Sequence, residues 1–341
     1  MNLQDLTHIK NLIDTPRYSV IVSHRNPDGD AIGSSLALAH FLQKKGHTVH
    51  IVFPSEYPPL FQFLVEDVDV SIYDLHSDAI KPKLKMADVI FALDFNALDR
   101  IDRMGEFIHG LTCPKVMIDH HIDPEPFAEY AFWRESASST AELVYDLMKE
   151  GEYMRFMDPQ IATSIMCGIL TDTGSLSYSV SPEVLVKVAE LLKSGVDYRE
   201  LQDKIFNSWS AKYLKLLGHC LSNRMELLDE HQTGIIHLTK SDYADFDIQR
   251  GDTEGIVNYL LKLQEVTLAV FITEQPNIIK FSFRSKGDFS VAAMAAAHFK
   301  GGGHVNASGG FMHSSLEAAI RKVKDVIKNY PQLSKSEIQI P

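Results

Sequence analysis

Tyr18-Ser19-Val20-Ile21-Val22-Ser23 runs straight into His24-Arg25-Asn26-Pro27-Asp28-Gly29-Asp30. The first six residues, rich in β-branched side chains, read as a buried strand. The next seven read as a loop. From Ala31 to Lys45, Ile32, Leu36, Ala39 and Phe41 or Leu42 recur at helical spacing, and Gly46 stands where a helix would stop. Thr48–Phe53 is a second strand. A strand, loop, helix and strand in that order open a doubly wound α/β fold. The expected architecture is an N-terminal, mainly parallel sheet with helices on both faces. A smaller C-terminal α/β domain follows across a cleft.

Two further strands repeat the design. Ala87-Asp88-Val89-Ile90-Phe91-Ala92-Leu93 has a buried-strand pattern, and Asp94 sits at its end. Lys115-Val116-Met117-Ile118 leads into Asp119-His120-His121-Ile122. Chemistry in open α/β sheets collects beyond the carboxyl ends of the strands. Each residue also has a plainer role: Asn-Pro and Asp-Gly form turns, and Asp28 or Asp30 would serve as a helix cap. Three strands that each deliver an acid or a histidine at the same end are harder to explain as turns alone.

Other segments are mainly structural. Residues 54–86 carry Pro54, Pro58 and Pro59 in a loop and a short helix at Leu60–Leu64. Ser139-Thr140-Ala141-Glu142 is a capping box for a helix to about Glu150, with no chemistry assigned to it. Pro159 starts a helix to about Leu170, followed by Thr171-Asp172-Thr173-Gly174, a fourth acid at an element end. Ser181-Pro182-Glu183 starts another, ending near Gly195.

Three domain parts are expected: 1–195 as the metal-binding catalytic domain, 196–225 as a polar helical connector, and 226–341 as the substrate-binding domain. In the last, strands (234–239, 266–273, 278–284) alternate with helices (253–263, 290–299). It ends on the glycine-rich run Gly301-Gly302-Gly303-His304-Val305-Asn306-Ala307-Ser308-Gly309-Gly310.

Composition narrows the ligand. The 341 residues are 45% hydrophobic and 23% charged, enough for a sizeable core. A net charge of −12 repels long polyanions, so a small phosphorylated ligand fits better than a long duplex. Cys113, Cys167 and Cys220 are scattered, which argues against a disulfide framework or a structural zinc site. The first residues lack the pattern of a signal peptide, and no apolar run approaches a membrane span. A cytoplasmic protein with no membrane association is expected.

The candidate metal ligands are His24, Asp28, Asp30, Asp94, His120 and Asp172. Four carboxylates and two imidazoles, with no thiolate, suit Mn²⁺ or Mg²⁺, with Fe or Co as alternatives. Four negative charges balance two divalent cations. Such a pair activates water and clamps a phosphoryl group. Asp94, between the other segments, is the expected bridge. His121 is expected to act on the phosphate or leaving group, and Asp119 to orient an imidazole. In the C-terminal part, Arg284 and Lys286, near a strand end, are candidate phosphate ligands. Gly302 and Gly303 offer backbone N–H groups, and His304 and Ser308 side-chain donors. A flexible loop with solvated basic residues is the plainer alternative.

His24-x-x-x-Asp28-x-Asp30, Asp94, Asp119-His120-His121 and Asp172 resemble the four motifs of the DHH phosphoesterase superfamily. Gly301 to Gly309 resembles the substrate motif of its associated C-terminal domain. The match spans nearly the whole chain in the right order. Within the superfamily, the chain is most similar to the bacterial bifunctional oligoribonucleases and pAp phosphatases, or nanoRNases. That resemblance implies an Mn²⁺-dependent hydrolase, with Mg²⁺ or Co²⁺ as alternatives. It would trim short RNA oligonucleotides to mononucleotides and convert 3′-phosphoadenosine 5′-phosphate (pAp) to AMP. It also implies one metal on His24, Asp28 and Asp94, and another on Asp30, Asp94, His120 and Asp172. A homodimer is compatible with it. The rival expectations are a linear or cyclic dinucleotide phosphodiesterase, a pyrophosphatase or exopolyphosphatase, a long-strand DNA exonuclease, and a catalytically inert nucleotide sensor.

Overall fold

The computed structural model describes residues 3–65, 68–249 and 251–334; the expected outer domain limits, 1 and 341, lie outside them. The chain divides into two compact units, Met1–Ser208 and Trp209–Pro341.

The first unit begins with α1 (Leu3–Asp14) and β1 (Tyr18–Ser23), then α2 (Gly29–Lys44) and β2 (Thr48–Phe53). A short helix α3 (Gln62–Val65), β3 (Val70–Ile72) and α4 (Tyr73–Lys85) follow. Next come β4 (Val89–Leu93), α5 (Arg103–His109), β5 (Lys115–Asp119) and β6 (Tyr130–Trp133). Four helices close the unit: α6 (Thr140–Glu150), α7 (Pro159–Asp172), α8 (Pro182–Lys193) and α9 (Tyr198–Phe206).

Its sheet has the order β3-β2-β1-β4-β5-β6, and every pair is parallel. The strand order reverses between β1 and β4, so the crevice at their carboxyl ends is the natural ligand position. The central strands are buried on both faces, which is why they read as unbroken apolar runs. In β1, Ile21 packs into one core with α2 and α7, whereas Val20 and Val22 pack into another with α4 and α5. Gly46, with φ 90°, follows α2 as expected.

β3, β6 and α4 are among the elements here that escape pattern reading. β3 is only three residues long and half-buried. The edge strand β6 is mostly half-buried and shows no clean alternation. α4 contains Pro82 and is kinked at His76.

The second unit comprises α10 (Ala211–Asn223), β7 (Met225–Leu228), β8 (Thr233–Leu238), α11 (Lys240–Asp245) and α12 (Ile256–Leu260). It continues with β9 (Leu268–Gln275), β10 (Ile278–Ser285), α13 (Val291–His298), β11 (Gly302–His304), β12 (Ala307–Met312) and α14 (Leu316–Ile327). The sheet order is β11-β12-β10-β9-β8-β7. Among the described residues, only β8 and β9 of this sheet run parallel. α13 and α14 cover one face through Val291, Met294, Ala319 and Val323. On the other face, α10 and α12 cover β8 and β9.

The helical stretch expected as a connector is divided. Leu201 and Ile205 of α9 belong to the first unit's core. Leu216, Leu217 and Cys220 of α10 belong to the second unit's. The glycine-rich run, expected as a loop, is a β-hairpin. A β-carbon on Gly301 would lie 1.9 Å from the Gly309 carbonyl oxygen, so the close strand approach requires glycine there. Among the described residues, no helix is long and apolar enough to cross a membrane. The three cysteines are free.

Candidate metal centre

The carboxyl ends of β1, β4 and β5 bring His24, Asp94 and His120 together, and helices supply the remaining acids. His24 leaves β1 with Nδ1 against the Arg25 carbonyl oxygen at 2.9 Å. A nitrogen beside a carbonyl must donate, so the other ring nitrogen carries the lone pair when the ring is neutral. His24 Nε2 lies 3.3 Å from Asp94 Oδ2 and 3.8 Å from Asp28 Oδ1.

Asp28 caps α2, accepting the Asp30 and Ala31 N–H groups at 3.0 and 3.1 Å. The cap and the site therefore share one residue. Asp30 lies in the first turn of α2 and not in the preceding loop.

Asp94 follows β4 with φ 65°, a left-handed conformation that aspartate tolerates better than most residues. Its Oδ1 is 3.6 Å from His120 Nε2. One Asp94 oxygen thus faces each histidine. His120 repeats the His24 arrangement, with Nδ1 3.1 Å from the Ala137 carbonyl oxygen. His120 Nε2 is 3.3 Å from Asp172 Oδ2 and 3.9 Å from Asp30 Oδ2. Asp172 is the last residue of α7 and not a turn residue beyond it. His121 Nδ1 is 2.8 Å from Asp119 Oδ1, inside the fold.

Ligand atoms of His24, Asp28 and Asp94 lie within 4.8 Å of one another, as do those of Asp30, His120 and Asp172. Either set could hold a cation. Burial and the neighbouring Asp94, Asp172 and Asp28 charges push the Asp30 carboxyl well up. Burial also raises Asp172, to about 7; His120 opposes the rise, while Asp28 and Asp94 reinforce it. Burial works against a charged His24, but Asp28 and Asp94 outweigh it and hold the imidazole up at about 10. The acids therefore retain protons or draw them onto the imidazoles, as expected where negative charge exceeds what the site itself can neutralise. Hard oxygen donors, preset imidazoles and this charge excess fit divalent cations.

The Ser139 cap also contributes to the site, contrary to its purely structural reading. Ser139 Oγ accepts the Glu142 N–H at 3.0 Å, as the motif predicts, but the Glu142 carboxylate accepts the Ser138 N–H in place of the Ser139 N–H, so the expected box is only half made. The helix start then turns two N–H groups onto Asp30: Thr140 N to Oδ2 at 2.6 Å and Ala141 N to Oδ1 at 2.8 Å. Thr140 Oγ1 donates to Asp94 Oδ1 at 3.0 Å. Helix N-termini favour such carboxylates. Gly168 of α7 leaves room for Asp30. Nothing in the local sequence around either position signals these long-range contacts.

In the second unit, strand register sorts the expected substrate residues by face. Arg284 pairs with Ala307, Ser282 with Gly309, and Lys280 with Phe311. Gly302 pairs with Gly309, and His304 with Ala307. Directly paired residues share a face. Arg284, Gly302, Gly309, His304 and Phe311 therefore occupy one face. A β-carbon on Gly302 would meet no atom within 4 Å, so packing does not require glycine there. Gly303 and Ser308 occupy the opposite face. Buried Ser308 donates to the Val291 carbonyl at 2.9 Å, and Lys286 Nζ donates to that of Leu263 at 2.5 Å. Both donors, expected to meet substrate, are engaged in the fold.

Residues 19–169 match the DHH family, N-terminal domain, and residues 234–329 match the DHHA1 domain. A Thermus thermophilus protein, bifunctional oligoribonuclease and PAP phosphatase NrnA, is 30% identical; the alignment covers 95% of this chain and 92% of the relative. Its Bacillus subtilis namesake is 28% identical over 88% of this chain and 92% of its own. The crystal structure of an exopolyphosphatase-related protein from Bacteroides fragilis matches with TM-score 0.93 and 36% identity over 98% of both chains. Matched domains in this order, on relatives aligned almost end to end, show that the chain belongs to the DHH family and is a hydrolase of phosphoester bonds.

Proposed function

We propose that the protein hydrolyses short RNA oligonucleotides to mononucleotides and removes the 3′-phosphate of pAp. The observation that carries this reading is the Asp94 carboxylate, with Oδ2 toward His24 and Oδ1 toward His120. Such a carboxylate suits a shared ligand of two divalent cations. His24 and Asp28 would complete one set, and Asp30, His120 and Asp172 the other. Mn²⁺ is the preferred ion, with Mg²⁺ or Co²⁺ as alternatives. When bound, two such cations polarise the phosphoryl group and lower the pKa of water.

The chain's own residues do the rest. Asp119 holds His121 through Nδ1 at 2.8 Å, which suits a donor to the phosphate or the leaving oxygen. The backbone N–H groups at the start of α6 hold Asp30. In the second unit, Arg284 and His304 suit a terminal phosphate, and the bare backbone at Gly302 and Gly309 suits close approach of a nucleotide. Lys286, Gly303 and Ser308 would support that surface through the fold. The names of the relatives from Thermus thermophilus and Bacillus subtilis support the choice of substrates. A net charge of −12 favours such small substrates over a long duplex.

The test is product release with Mn²⁺ from pAp, a 5′-phosphorylated RNA dinucleotide, a long RNA and inorganic pyrophosphate. Turnover of the first two, with little of the others, is expected. Preference for pyrophosphate would overturn the substrate assignment.

A further inference from the structure

We propose that Thr140 is a positioning residue that couples the two halves of the metal centre, an inference that rests on the two-cation reading above. Thr140 is fully buried. Its backbone N–H donates to Asp30 Oδ2 at 2.6 Å, and its hydroxyl donates to Asp94 Oδ1 at 3.0 Å. One residue therefore fixes the proposed shared carboxylate and an acid that belongs to one set alone. The hydroxyl also occupies one acceptor position on the Asp94 oxygen that faces His120. That restricts the direction in which the same oxygen can meet a cation.

Thr140 is itself held firmly. The Ser138 N–H donates to Glu142 Oε2 at 2.6 Å, and Ser139 Oγ accepts the Glu142 N–H at 3.0 Å. Lys187 Nζ donates to Glu142 Oε1 at 2.5 Å and to Asp146 Oδ2 at 2.7 Å. The Ala137 carbonyl on the same turn accepts from His120. Residues 137–141 thus contact three candidate ligands and are tied to α8 through Lys187. The Thr140 hydroxyl is the only part of this turn that reaches Asp94 by a hydrogen bond among the described contacts. Removing it would release Asp94 while leaving both N–H groups on Asp30.

Thr140→Val keeps the shape and the backbone donors, and Thr140→Ser keeps the hydroxyl. The full-length variants are compared with wild type by Mn²⁺ titration calorimetry, by the electron paramagnetic resonance signal of coupled Mn²⁺ pairs, and by kcat and KM on pAp. Loss of a group that orients a metal ligand costs about 10–100-fold in affinity or activity. For Thr140→Val, Mn²⁺ affinity and kcat fall by that range, the coupled-pair signal changes, and KM stays within about 3-fold. Thr140→Ser restores all three to near wild type. Should the valine variant fail to fold, Thr140→Ala provides the comparison.

Wild-type Mn²⁺ affinity, pair signal and kcat in a folded variant lacking the hydroxyl would overturn the role of Thr140 alone. So would a serine variant as impaired as the valine one. Wild-type protein that binds fewer than two Mn²⁺ ions would overturn the two-cation reading, and the role of Thr140 with it.

Discussion

Gly168 of α7 and Asp30 of α2 meet so closely that a β-carbon on Gly168 would lie 2.6 Å from Asp30 Oδ1. The same β-carbon would lie 2.4 Å from the Ala141 β-carbon. Three helices therefore converge on one carboxylate, and only glycine leaves it space. Alanine gains about 1 kcal/mol of helix propensity over glycine. Overpacking a tight core costs about 1–3 kcal/mol, and contacts of 2.4 and 2.6 Å on two sides place this site toward the upper end, so the net effect of Gly168→Ala is destabilising. Urea unfolding of the variant is expected at a lower midpoint, with weaker Mn²⁺ binding by calorimetry. A higher midpoint with unchanged binding would contradict the packing account.

Asp94→Asn keeps the size of the side chain but halves its value as a bridging ligand. Losing an outer partner of a metal ligand costs about 10–100-fold. Loss of a shared ligand should exceed that range in kcat on pAp, with circular dichroism unchanged. Unchanged kcat with Mn²⁺ would remove Asp94 from the bridging role.

How much of this could be read from sequence follows from what each signal depends on. β1, β4 and β5 are legible because both faces are buried, so apolar runs end abruptly at His24, Asp94 and Asp119-His120. β3 and β6 are short or half-buried, and patterning has little to act on. α14, beyond the last element assigned from sequence, carries a clear signal in Ser315 followed by Leu316, Ala319, Val323 and Val326. The hairpin at Gly302–His304 and Ala307–Met312 looked like a loop because glycine has low strand propensity. Tertiary packing overrides that preference here. Thr140 and Gly168 meet Asp30 across more than a hundred positions, and Thr140 meets Asp94 across 46; local pattern cannot report such contacts.

The acidic crowding has a pH signature in protein stripped of cations. Burial pushes Asp172 up to about 7, opposed by His120 and reinforced by Asp28 and Asp94. A raised carboxyl contributes stability that is complete below its unfolded pKa, about 3.9, and is lost as pH rises through the folded value. The window therefore runs from about pH 4 to about pH 7. Asp172→Asn, neutral throughout, escapes this loss. In chelator, its Tm should climb relative to wild type across that window, by at least about 3 °C at the upper end. Mn²⁺ should then raise the Tm of wild type more than that of the variant. Parallel Tm curves would contradict the assignment.

Lys187 is the cation of a buried network. Its Nζ lies 2.5 Å from Glu142 Oε1 and 2.7 Å from Asp146, and Arg134 also reaches Asp146 at 2.7 Å. Burial tends to raise Glu142, but Lys187 and the Ser138 N–H hold its carboxyl below the usual range. Lys187→Met would strand that charge. Removing one member of a buried ion pair costs about 3–5 kcal/mol. Arg134 still serves Asp146, so the lower end is expected in chemical denaturation. A loss under about 1 kcal/mol would place the network among weak surface pairs.

Arg284 tests the proposed substrate surface separately from the metal centre. It is half-buried in β10, with Nη1 donating to the Phe283 carbonyl at 2.9 Å, so its guanidinium lies back against its own strand. His304 and Gly302 share its face through the Ala307 and Gly309 pairings. A charge-assisted hydrogen bond to phosphate contributes roughly 1.5–3 kcal/mol, or about 10–100-fold. Arg284→Ala should therefore raise KM for pAp and for a 5′-phosphorylated dinucleotide by about that factor. The same dinucleotide without its terminal phosphate should be affected much less, and kcat should change little for either. Ser308→Ala should leave that difference intact, because its hydroxyl donates to Val291 on the opposite face. Equal losses on both dinucleotides would mean that Arg284 holds the sheet and not the phosphate.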